Sequence, residues 1–198
     1  MRRLACLVPV VFFLCLSARP ALPEEPPSPD AQAVWDNFCP LLGKIIIAFD
    51  SCDPADERQF PEKLRKLGFR SSKADSSAGK FQTAYFVLER EGMPGDGPAI
   101  CLSYSMLERR KELMDKFTLS LSPVSPALGS SLLDLASRGT FPRLERMNSE
   151  PSGNVVVYEN AKETRRLSFA ATGEPDEFSA TYYNLNQSWR RSLEQIAM

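Results

Sequence analysis

The sequence predicts an α+β domain in which N-terminal helices pack on an antiparallel sheet built from a central hairpin and a C-terminal meander. Three observations carry this expectation. An apolar stripe at helical spacing runs through residues 34–52, and two β-favouring runs separated by a glycine-rich stretch follow at 81–104. After Gly139 the hydrophobic period shortens to two. Helices and strands are thus segregated along the chain, which places the helices on one face of the sheet.

The chain opens with the order of a secretory signal peptide. Arg2 and Arg3 precede an apolar run from Leu4 to Leu16, and the small residues Ser17 and Ala18 follow. That run is too short to span a bilayer, which takes about 20 helical residues. Residues 1–18 therefore read as a cleaved signal, which leaves no transmembrane anchor, and the mature chain as secreted or periplasmic. Residues 19–29 are proline-rich and read as an extended linker. The α+β domain is expected over 30–198.

Within it, Val34, Phe38, Leu41, Ile45, Ala48 and Cys52 recur at steps of three and four, so helix is expected from Asp30 to Ser51. A break is expected near Pro40 and Gly43, since proline removes a ladder donor. Asp53 and Pro54 read as the N-cap and first residue of a second helix, with Phe60, Leu64 and Leu67 on its apolar face. Gly68 stands where a left-handed stop belongs. Residues 71–79 read as loop, 81–90 and 99–104 as the strands of a hairpin, and 91–98 as its connection.

Ser105-Met106-Leu107-Glu108 has the form of a capping box and predicts a helix to Phe117. A Ser/Pro-rich link leads to a shorter helix from Ser125–Pro126 through Ser137, stopped by Gly139. Four strands then follow at 141–147, 155–159, 165–171 and 178–185, with polar turns at 149–154, 160–163 and 173–176. Asn186–Ala197 reads as a final amphipathic segment carrying Trp189, Leu193 and Ile196, with a glycosylation sequon at Asn186.

Three cysteines remain after signal removal, and an exported chain favours pairing. Cys39 and Cys52 on one helix would sit about 20 Å apart, against a limit near 7 Å for a bridge. Cys52–Cys101 is therefore the expected disulfide, with Cys39 buried and free.

Histidine is absent from the whole chain. Ser-His-Asp and Cys-His catalysis are excluded, as is His-ligated zinc. Loss of Arg2 and Arg3 takes the basic residues from 24 to 22 against 25 acidic ones, a net charge of −3, so no electrostatic footprint for nucleic acid remains. Ser77-Ala78-Gly79-Lys80 has the S-x-x-K spacing, but the partner motifs that would support Ser-Lys chemistry are missing. The glycines at 92–97 lack the strand–loop–helix context of a phosphate cradle. Asp50, Asp53, Asp56 and Glu57 cluster without calcium-loop spacing, and no metal, cofactor or catalytic residue is expected. Tyr158, Phe169, Phe178, Tyr182 and Tyr183 read as sheet core rather than as a ligand groove.

The function this leaves is non-catalytic: binding of a protein or small-molecule partner in the exported compartment, or an envelope-associated role. The alternative is a carboxylate-dependent hydrolase acting, for example, on glycans, with Asp176 and Glu177 as its acids. That pair sits in good turn chemistry, and a pair at work would need its carboxyls about 5–9.5 Å apart in a pocket.

Overall fold

The computed structural model describes residues 29–53, 55–56, 58–72, 76–78, 81–88, 98–107, 112–147, 155–160, 162, 164–173 and 176–184. The signal-like leader, most of the proline-rich linker, the 91–97 connection, the 149–154 turn and the 186–197 segment lie outside them.

The fold is α+β. Helix α1 (Pro29–Asp50) and helix α2 (Gln59–Lys66) precede strands β1 (Phe69–Ser71), β2 (Ser76–Ala78), β3 (Phe81–Leu88), β4 (Ala99–Leu107) and β5 (Glu112–Ser122). Helix α3 (Pro126–Arg138) then carries the chain to β6 (Glu145–Arg146), β7 (Val155–Glu159), β8 (Arg165–Gly173) and β9 (Asp176–Asn184). The strands form one nine-stranded sheet in the order β1-β3-β4-β5-β9-β8-β7-β6, with β2 also on β3, and every pairing is antiparallel. α3 crosses to the far edge, so the last strands return inward and β9 zips against β5. Two consecutive meanders thus meet at the centre.

Strand alternation sorts the side chains into two faces. Phe117, Leu119 and Leu121 of β5 are buried, as are Phe178, Ala180 and Tyr182 of β9 and Leu167 and Phe169 of β8. The helices cover this face. Trp35 and Phe38 of α1 meet Phe178 edge-on at 6.5 and 5.5 Å, and Phe49 meets Phe60, Phe117 and Tyr182 in similar geometry. Edge-to-face rings set the positive rim of one against the negative face of the next, so this layer is fixed in angle as well as buried. The opposite face carries small residues in register: Ser103, Thr118, Thr181 and Ser168 in one row, and Cys101, Ser120, Ser179 and Ala170 in the next. All are half-buried.

Helix ends are held by side chains from elsewhere. The Lys63 ammonium donates to Ser51 Oγ at 2.8 Å, Ser51 O at 3.0 Å and Ala48 O at 3.4 Å, supplying the cation that the last turn of α1 lacks. Ser125 caps α3 by accepting from the Leu128 amide, and Tyr158 closes its other end, donating to Ala136 O at 2.7 Å and Gly139 O at 2.9 Å. Gly68 takes φ 93°, the left-handed stop expected after α2.

Several expectations are corrected. The capping box at Ser105–Glu108 opens no helix: 105–107 continue β4 and 112–122 form β5. Phe117, Leu119 and Leu121 alternate with Thr118, Ser120 and Ser122, and neighbours on both sides supply ladder partners. α1 runs unbroken through Pro40, because that residue sits on the exposed side, where the missing amide leaves no buried carbonyl unpaired. α2 begins at Gln59, not beside Pro54, and Asp53 instead accepts from the Ala55 amide in the linking turn. The expected 71–79 loop contains β2, paired along the β3 edge.

Candidate functional site

Among the described residues three clusters of chemistry-bearing side chains arise from this framework, and one of them leaves charged groups unpaired.

The first is the acid at the end of α1. Asp50 accepts the Tyr182 hydroxyl at 3.0 and 3.1 Å and the Asn184 amide at 2.7 Å, and pairs with Arg165 at 3.1 Å. Burial, reinforced by the Asp50 charge, pushes the Tyr182 hydroxyl far above its ordinary value. A carboxylate with three partners and a phenol held neutral make a pin between α1 and the β8–β9 ladder. Asp53 and Asp56 are engaged elsewhere, Asp53 accepting from the Ala55 amide and Asp56 from the Arg58 amide and Gln59, and Glu57 lies outside the described residues. Among the described residues no group of acids and cysteines is placed to hold a metal ion.

The second is the thiols. Cys39, Cys52 and Cys101 are all free and half-buried, so the Cys52–Cys101 bridge is not formed in this structure. The sheet itself separates them. Cys52 lies at the α1–α2 corner, donating to Ala48 O at 3.1 Å, whereas Cys101 alternates with the buried Ile100 and Leu102 and so points to the opposite face, toward Glu177. Cys39 packs against the core without being fully enclosed. Burial pushes all three thiols up, with Asp36 adding to the effect at Cys39 and Glu177 at Cys101, while Lys63 partly offsets it at Cys52.

The third is a cleft of about 370 Å³ between α2 and β4, lined by Arg58, Pro61, Glu62, Arg65, Tyr104 and Met106. Its geometry follows from both elements. On a helical wheel positions 58, 62 and 65 fall on one side, so Arg58, Glu62 and Arg65 share a face, the arginines about 10 Å apart along the axis. Phe60 and Leu64 take the opposite face into the core. On the sheet side the β4–β5 register shifts between Tyr104 and Met106, an irregularity of the kind that re-aims side chains. Tyr104 is held from behind by Phe60 at 5.0 Å and Phe86 at 5.7 Å, which gives the cleft a fixed floor. The Arg58 and Arg65 guanidinium groups make no hydrogen bond or ion pair among the described residues, although Glu62 stands between them.

Sequence reasoning missed this cleft. A signal was present in the spacing of Arg58 and Arg65, but the end of the partner strand, from Ser105 onward, was read as a helix. Of the acids considered for hydrolysis, Asp176 and Glu177 are neighbours on β9, so their side chains leave opposite faces of the sheet. Tyr158, Phe169, Phe178 and Tyr182 are core, as expected, while Tyr183 lies under the Lys116 ammonium at 5.8 Å. Ser77 sits in β2 on the β3 edge, a strand rather than the start of a helix. No described helix is long and apolar enough to cross a membrane. Comparison with protein-family models, curated proteins and solved structures finds no match to this chain.

Proposed function

We propose that the protein acts by binding in an exported compartment, without catalysis, and that the cleft between α2 and β4 is its binding surface. One observation carries the reading: two guanidinium groups without partners among the described residues flank a concavity backed by a fixed aromatic ring. Its volume is in the range of small-molecule sites, about 300–1,000 Å³. Export rests on the signal-like order of residues 1–18. The absence of histidine removes the commonest neutral-pH base, and among the described residues a single acid, Glu62, reaches the cleft where a glycosidase would need two.

A direct test replaces Met106 with tryptophan, filling the cleft from the sheet side. Native mass spectrometry of the exported chain should find a bound small molecule in the wild type that Met106→Trp loses while retaining its melting temperature. Glycan turnover abolished by Glu62→Gln or Glu177→Gln would overturn the non-catalytic reading.

A further inference from the structure

The composition of the cleft also specifies what kind of ligand fits it. This step rests on the cleft being the binding surface. We infer that its ligand is an amphipathic monoanion, an apolar body bearing one carboxylate.

The charge argument comes first. Arg58 and Arg65 contribute two positive charges and Glu62 one negative, so the cleft complements a single negative charge. Guanidinium is the side chain best matched to a carboxylate, because its planar fork donates two parallel hydrogen bonds. Neither fork is engaged among the described residues, so a ligand carboxylate displaces no internal ion pair. Glu62 stands between the arginines on the same face, and a second acidic group laid along α2 would meet it. Dianions are disfavoured on that ground, as like charges without a cation between them repel.

The floor argues for the rest of the ligand. Tyr104 is 2% exposed and wedged between Phe60 and Phe86, so it backs the cleft rigidly, with only its edge at the surface, and costs little ordering on binding. Met106 and Pro61 complete that surface with a thioether and a pyrrolidine ring, partners suited to an aromatic or aliphatic body. A small inorganic anion would leave this floor unused. A neutral apolar molecule would cover the rim of two guanidinium groups without satisfying either, an expensive way to bury charge.

N-acetylphenylalanine and its neutral amide differ only in the carboxylate, and they serve as the probe pair. Each is titrated into the isotopically labelled exported chain, reading the backbone amide resonances of Glu62, Arg65, Tyr104 and Met106. The acid should shift these resonances saturably and bind at least tenfold more tightly than the amide. Arg58→Gln combined with Arg65→Gln should bring the acid down to the level of the amide without changing the melting temperature. Equal binding of acid and amide at these resonances would overturn the monoanion assignment and leave the cleft as the binding surface. No movement of these resonances with either probe would overturn the cleft reading itself.

Discussion

The two faces of the sheet are made from the same strands yet follow opposite rules. On the helix side β5 and β9 present Phe117, Leu119, Leu121, Phe178, Ala180 and Tyr182, each no more than 2% exposed. On the other side the same strands present Thr118, Ser120, Ser179 and Thr181, small and half-buried, with Thr118 and Thr181 linked through their hydroxyls at 3.1 Å. Hydrophobic burial is concentrated on one surface, and the other contributes ladder bonds and short hydroxyl pairs. Stability should therefore depend on which way a residue points rather than on where it stands in the chain, because burying an aromatic removes far more apolar area from water than ordering a hydroxyl does.

Adjacent residues on β9 give the sharpest contrast. Phe178→Ala removes a fully buried ring touching Phe38, Trp35 and Phe169, and should cost about 3–5 kcal/mol. Ser179→Ala, one residue on, should stay within about 0.5 kcal/mol. Equilibrium urea unfolding measures both, and similar losses would break the distinction between the faces.

Next in size is the contact that seats α3 on the helix side. A Cβ on Gly129 would stand 3.2 Å from that of Ala171, so a side chain there presses on β8, and a bulky one cannot be seated without moving the helix. Gly129→Leu should cost roughly 1–3 kcal/mol through overpacking, despite leucine's better helix propensity. Smaller again is Tyr158→Phe, which leaves the Ala136 and Gly139 carbonyls without their hydroxyl partner and should lower stability by about 1–2 kcal/mol in the same assay.

The alignment of core and cap was legible in the sequence where local signals and tertiary partners agreed. Ser125, Pro126 and Gly139 bounded α3 correctly because the Ser125 cap and the Gly139 amide satisfy backbone groups within a few residues of each terminus. The C-terminal strands were legible for a similar reason: their alternation is short-range, and the Asn160 side chain itself closes one turn by accepting from the Arg165 amide. The stretch at 105–122 failed because a capping box is a four-residue pattern and a central strand is decided by neighbours far away. Leu119 faces Leu102 on one side and Ala180 on the other, contacts no local rule reports. Misreading 105–107 also hid the cleft, since Met106 joins Tyr104 in its lining only once β4 continues past that residue beside α2. The faces taken by the cysteines were hidden on the same ground, because the spacing between two cysteines carries no information about which side of a sheet each one takes.

A smaller effect is confined to alkaline pH. Tyr182 ionises near pH 10 in an unfolded chain, whereas its folded value is raised by burial and by the Asp50 charge. Below that pH both states hold the proton and the contribution to stability is fully present. Above it the unfolded state sheds the proton first, so stability falls as pH rises toward the folded value. Urea unfolding at pH 8 and pH 10.5 should show a larger loss in the wild type than in Tyr182→Phe. Equal losses would mean that the Asp50 pin does not hold this hydroxyl.

The division of the sheet into two faces is tested most directly by its thiols. Cys52 belongs to the helix side and Cys101 to the other, so the sheet stands between the two thiols in this structure. The protein is unfolded in excess alkylating agent without reductant, digested and mapped by mass spectrometry. The account predicts Cys39, Cys52 and Cys101 each recovered as an alkylated peptide. Recovery of the Cys52 peptide joined to the Cys101 peptide would place both thiols on one side of the sheet and contradict it.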